Sequence, residues 1–173
     1  GVGGGRRRGD RGNDAALRLR AGGSHGALPR GRVPPVGQPR RVVGRVAKIH
    51  LMQGNYPAAV RNFQRLEQLA TNKTEQHNAW MGLMESFFQL ARYDSSDAYA
   101  RIILERGGAT AGARNKASLL LGKSALARGD FEGAQDEFLN TLNTAEDEFG
   151  AEAKYLLAET FFLQKEYKKS YET

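Results

Sequence analysis

An all-α stack of antiparallel helix pairs is the fold this sequence predicts, and three observations carry that expectation. A short phrase recurs as Gly54-Asn55-Tyr56, Ala91-Arg92-Tyr93, Gly129-Asp130-Phe131 and Lys165-Glu166-Tyr167, its aromatics 37, 38 and 36 residues apart. A small residue follows each aromatic by three positions (Ala59, Ser96, Ala134, Ser170). Units of that length cannot bury an apolar face alone, so they stack on one another. Apolar residues also fall at helical spacing throughout, and no stretch alternates with period two. Finally, Gly and capping residues punctuate the stripes at the intervals a helix, tight turn, helix pattern requires.

Taken in order, the stripes and stops predict helices near 41–53, 56–70, 74–90, 94–106, 112–128, 131–145 and 148–164, with an eighth beginning at Tyr167. Ala59, Phe63, Leu66 and Ala70 form one apolar face. Trp80, Leu83, Met84, Phe87 and Phe88 lie at i, i+3, i+4, i+7 and i+8 of the next element. Ala134, Phe138 and Leu142 repeat the stripe, as do Tyr155, Leu157, Ala158, Phe161 and Phe162. Gly54 and Gly129 suit left-handed helix ends, while Asn55, Asp94 and Asp130 can cap the helices that follow. Pro57 lies in a first turn, where its missing N–H costs nothing. Thr74 with Glu75 and Thr144 with Asp147 mark further starts, and connectors longer than the tight turns, such as Arg106–Thr110, join one pair to the next.

Composition divides the chain sharply. Residues 1–45 carry 11 Arg, no Lys and only Asp10 and Asp14 as acids, a formal charge of +9. The remaining 15 basic and 17 acidic residues leave residues 46–173 at −2, so the whole +7 resides in the leading segment. Residues 1–40 hold eleven Gly and nine Arg with no Phe, Tyr, Trp, Ile, Lys or Glu, and are expected to be a disordered Arg/Gly-rich segment. That vocabulary is what GC-rich DNA yields in a wrong frame, and a mis-translated fragment end is the first reading of it. A solvated tail is the second, and an arm binding nucleic acid through phosphate contacts the third. The helical repeats are assigned to residues 41–173, and the last repeat reads as truncated.

The repeat region resembles the tetratricopeptide repeat family, whose pattern sets Trp-x-x-Leu-Gly-x-x-Tyr on a first helix and Ala-x-x-x-Phe on a second. Trp80-x-x-Leu83-Met84-x-x-Phe87 matches the first half with Met in place of Gly. Leu121-Gly122 and Leu157-Ala158-x-x-Phe161 supply it again, and Ala59-x-x-x-Phe63 and Ala134-x-x-x-Phe138 match the second half. Ser96 and Ala100 depart from it. The resemblance implies a right-handed solenoid of about three and a half repeats. The 36–38 residue spacing exceeds the family's usual period and is similar to the looser repeats of bacterial periplasmic proteins, such as outer-membrane assembly lipoproteins and Tol-Pal-associated coordinators.

What the resemblance implies for function is a protein–protein interaction scaffold, with a peptide or helix of a partner held in a groove lined by the first helix of each pair. Carried across residue by residue, the groove slots are Lys48 in the first unit and Asn78, Met81, Glu85, Phe88 and Gln89 in the second. Lys116 and Lys123 follow in the third, and Glu152, Tyr155, Glu159 and Phe162 in the fourth. Other slots, notably Leu119 and Leu126, read equally well as packing between units. The charge alternation along this row points to a mixed, amphipathic partner segment. Gly82 and Leu120 stand where a carboxylate-clamping chaperone receptor needs polar residues, which argues against that subclass.

Catalytic chemistry finds no foothold. Gly122-Lys123-Ser124 ends like a phosphate-binding loop, but Ala117 replaces the required upstream Gly and Leu119–Leu121 continue a helix. His25, His50 and His77 have no ligand partner at metal spacing, Cys is absent, and no nucleophile–base arrangement is visible. Glu146-Asp147-Glu148 favours a helix start through the dipole. Asn72-Lys73-Thr74 fits a glycosylation acceptor. No cofactor and no membrane span are expected, and the longest aliphatic run is Leu119–Leu121. Self-association through the incomplete last repeat is expected. The alternative functions are a nucleic-acid-associated protein using the Arg-rich segment, or a non-catalytic part of a larger enzyme.

Overall fold

The computed structural model describes residues 38–172, and among these it holds seven helices and no strand. They are α1 (Gln38–Met52), α2 (Tyr56–Leu69), α3 (Lys73–Gln89), α4 (Tyr93–Glu105), α5 (Ala111–Ala127), α6 (Phe131–Thr144) and α7 (Glu148–Tyr171). The expectations for residues 1–37 lie outside the described residues. Helix α1 starts at Gln38, three residues before the expected boundary.

Each helix packs on the next in sequence, in a repeat-like succession. In addition α1 touches α3, α3 touches α5 and α5 touches α7, whereas no two even-numbered helices meet among the described residues. The odd helices thus touch in succession as a continuous row, and each even helix packs between its two sequence neighbours. Three apolar clusters follow one another along the row. Phe63, Leu66, Leu83 and Phe87 belong to the first, Trp80, Met84, Ile103 and Leu121 to the second, and Leu119, Phe138 and Ala153 to the third.

The recurring phrase is a recurring backbone geometry. Gly54, Ala91 and Gly129 all take a left-handed conformation, with φ of 75°, 56° and 76°. The residues after them share one further conformation, φ/ψ of −86/69 at Asn55, −87/69 at Arg92 and −81/80 at Asp130. The amide of each of these donates to a carbonyl five residues back, on His50, Phe87 and Ala125. That is the Schellman helix stop, which satisfies carbonyls the helix end would orphan. Only one of the three stops has a side-chain cap behind it. Asp130 Oδ1 accepts from Gly133 N at 3.0 Å, whereas Asn55 caps nothing with its side chain and Asp94 lies inside α4.

The fourth copy of the phrase does not make a turn, which corrects the expected eighth helix at Tyr167. Helix α7 runs unbroken to Tyr171. Lys165 stands where the other copies have Gly or Ala, and a long side chain in the left-handed region is costly. Helix formers on both sides leave continuation as the cheaper path. Tyr167, expected to open a helix, instead rests against Phe131 with ring centroids 5.8 Å apart.

Two starts also move. Asn72, not Thr74, caps α3 by accepting from Glu75 N at 2.9 Å, which gives the glycosylation-like triplet a structural role. Thr144 does not open α7. It closes α6 and donates to Asn115 Oδ1 at 3.0 Å, and Asp147 is the cap of α7. Of the connectors between pairs, only Arg106–Thr110 is longer than the tight turns.

Candidate binding face on the odd helices

The sequence of each odd helix decides what it presents. Its buried stripe faces the clusters, and the residues one step round the helix from that stripe look along the row. Three clefts open there. The first, about 290 Å³, is lined by Arg40, Arg41, Arg45, Lys48, Leu66, Glu75 and Asn78. The second, about 450 Å³, holds Lys73, His77, Asn78, Met81, Ala113, Lys116 and Phe149. The third, about 400 Å³, lies at the C-terminal ends of α1 and α3 against α5. Leu51, Met52, Tyr56, Glu85, Phe88, Gln89, Lys116, Leu120 and Lys123 line it. Asn78 is shared by the first two clefts and Lys116 by the last two.

Eight of the expected groove residues therefore fall together: Lys48, Asn78, Met81, Glu85, Phe88, Gln89, Lys116 and Lys123. The four on α7 lie outside these clefts. Tyr155 and Phe162 project from α7 with 68% and 62% of their surface exposed, and Glu159 is half-buried beside them. Glu152 is tied to α5 through Lys123. Leu119 is only 2% exposed and packs in the third cluster, so its packing role holds. Tyr56 and Leu120 line the third cleft although their sequence signals marked them only as a turn aromatic and an apolar clamp position.

The charge alternation has a use inside the molecule. Lys116 Nζ lies 2.7 Å from Glu85 Oε1, joining α5 to α3, and Lys123 pairs with Glu152, joining α5 to α7. At the head of the row Arg40 meets Glu75 at 3.6 Å. Four of the charges expected to read a ligand thus neutralise one another in pairs. Lys48 and Glu159 remain without an ion pair among the described residues.

The apolar lining is fixed from behind. Phe88 meets Tyr93 edge-on at 5.5 Å, and both Phe88 and Met81 are half-buried against the second cluster. On the other side of α3, Glu67 of α2 accepts from Trp80 Nε1 at 2.9 Å and from the Tyr99 hydroxyl at 3.2 Å, tying three helices together. Burial, then the Glu67 charge and hydrogen bond, push the Tyr99 hydroxyl up to about 12. On α6, burial raises the Glu137 carboxyl above its usual value, partly offset by Arg101.

Gly122-Lys123-Ser124 sits within α5, and a Cβ on Gly122 would fall 2.5 Å from the Phe138 ring. The glycine serves a close helix crossing. Leu120 is 7% exposed and Gly82 lies under the Phe63 ring, so neither offers a polar clamp. Among the described residues no His, Cys, Asp and Glu group has metal-site geometry, and no helix is long and apolar enough to cross a membrane. Compared with protein-family models and with curated proteins, the chain matches none.

Proposed function

We propose that this chain is a tetratricopeptide-like solenoid scaffold that holds a short segment of another protein along its odd helices. The carrying observation is the cleft at the ends of α1, α3 and α5, where Met52, Phe88 and Gln89 are grouped with the Glu85–Lys116 pair. A cleft with an apolar floor and a few polar groups is the usual setting for peptide anchors. Because Glu85 and Lys116 neutralise each other, the site selects by apolar anchors and backbone hydrogen bonds more than by ligand charge. Gln89 supplies both a donor and an acceptor for such bonds.

The test is selection of peptides from a random display library on the full chain, followed by affinity measurement. Met52, 87% exposed, and Gln89 make no core contact, so Met52→Arg and Gln89→Arg leave the fold intact. Each is expected to weaken the selected peptides by about tenfold or more, the scale of a lost anchor. Arg61→Ala on the outer face of α2 is the control. Equal losses in the control, or none in either cleft variant, remove the site.

A further inference from the structure

Both acids of α3 hold partners, whereas three bases of α1 hold none. Glu85 pairs with Lys116, and Glu75 meets Arg40 at 3.6 Å and accepts from the Thr71 amide at 3.1 Å. Helix α1 has no Asp or Glu of its own. Arg41, Arg45 and Lys48 are exposed and form no ion pair among the described residues. Residues 1–37 add eight Arg and only Asp10 and Asp14, so their sequence offers these bases little charge to pair with. All three bases line the first cleft. Arg41 and Arg45 stand at i and i+4 with Lys48 three further on, so like charges share one face, which costs an isolated helix stability.

The spacing of these bases suits an extended anionic chain. Arg41 to Lys48 covers about 10 Å of helix rise, and side chains on one side of an extended segment repeat about every 7 Å. Two carboxylates at alternate positions therefore reach the stripe together. Arg41 and Arg45 offer planar forks that match a carboxylate bidentately, and Lys48 adds a point charge. The exposed Asn78 joins this cleft to the second, where Met81, Ala113 and Phe149 supply apolar surface. Lys73 there is a further exposed base without an ion pair among the described residues. A chain leaving the stripe past Asn78 thus passes from cationic to apolar lining. Nucleic acid fits less well: among the described residues the first cleft is lined by no aromatic on which a base could stack, and Glu75 would face the phosphates.

We infer that the first cleft receives an acidic stretch of a partner protein, two or more Asp or Glu residues held by Arg41, Arg45 and Lys48 and continued along the row by apolar residues. The inference rests on the reading that a partner segment lies on the odd helices, and it names the part of that segment that carries charge. The third cleft selects by apolar anchors, the first by sign.

Peptides selected on the full chain from a random display library test it. The pool is expected to be enriched in Asp and Glu beside apolar residues. A selected peptide, and its counterpart with every Asp and Glu changed to Asn and Gln, are titrated against the wild type and against the double variant Arg45→Glu, Lys48→Glu, whose exposed positions leave the core untouched. The wild type should bind the acidic peptide about tenfold tighter or more, a preference that shrinks as salt rises. The variant should lose the preference. Arg61→Glu with Arg65→Glu, an equal change of charge at exposed positions of α2, should keep it, which separates the cleft from net charge. A pool without acidic bias, a neutral counterpart bound equally well, or equal losses in the α2 variant would overturn the inference. So would an oligonucleotide whose binding needs Arg45 and Lys48 in a protein that prefers no acidic peptide. The two readings fail separately: a silent Met52→Arg with the acidic preference intact strikes the third-cleft site, and a weakened Met52→Arg with no acidic preference strikes this one.

Discussion

The crossing between the two helices of a pair is built from a large and a small residue whose places exchange between repeats. In the first pair Ala47 on α1 shares a cluster with Phe63 on α2. The equivalent positions in the second pair are Met84 and Ala100, both fully buried, and in the third they are Gly122 and Phe138. Transplanting the second arrangement into the third pair tests whether volume alone governs this site. Phe138 is fully buried, so Phe138→Ala should cost about 3–5 kcal/mol. Gly122→Met places a Cβ 2.5 Å from a ring carbon that has no room to withdraw. Overpacking of that kind costs about 1–3 kcal/mol, with less than 1 kcal/mol returned by helix propensity. If the two acted independently the double variant would lose about 4–8 kcal/mol, near the whole stability of a domain this size. Because Met fills the space the ring leaves, the double variant should instead lose only about 1–2 kcal/mol. Urea unfolding followed by circular dichroism reads all four corners of the cycle. A double variant as unstable as the sum of the singles would refute the exchange.

Three further outcomes follow from the same structure. Ala91 holds the left-handed position that Gly54 and Gly129 hold in the other turns, so Ala91→Gly should raise stability by about 0.5–1 kcal/mol in urea melts, and no change or a loss would show the turn is not strained. Arg128 reaches back to the buried Asp97 at 2.7 Å. Arg128→Ala should cost about 1–3 kcal/mol by orphaning that carboxylate, and removing both partners should cost less than removing Arg128 alone. The Tyr99 hydroxyl is raised to about 12, so the unfolded chain ionises near 10 while the folded chain keeps its proton. Stability intact below pH 10 is therefore lost as pH rises towards 12. Tyr99→Phe should flatten that part of the pH–stability curve, and identical curves for the two proteins would count against the shift.

Much of the helical architecture was legible because it rests on short-range rules. Seven helix starts fall within three residues of expectation, since the apolar stripes and the Gly54 and Gly129 stops are local signals. The failures share a cause in competition between local options. Asn72 and Thr74 are both good caps, and only the backbone at Asn72, with ψ of 164°, shows which one is used. The phrase around Tyr167 kept its aromatic but lost the small residue that makes a left-handed stop, and the aromatic proved the less important half. Several residues of α3 and α5, Met81, Glu85, Phe88, Gln89, Lys116 and Lys123 among them, line the second and third clefts because helical periodicity sets them on neighbouring faces. The pairing of Glu85 with Lys116 and of Lys123 with Glu152 was not legible. Those partners lie about thirty residues apart, and only the contact between odd helices brings them together.

The central claim is that a partner segment lies on the odd helices, and a binding footprint tests it most directly. Backbone amide shifts of the isotope-labelled full chain, recorded while a selected peptide is titrated in, should move around Met52, Phe88, Gln89 and Lys116, with the outer faces of α2 and α4 unmoved. Shifts centred on the even helices, with Met52 and Gln89 silent, would contradict the account.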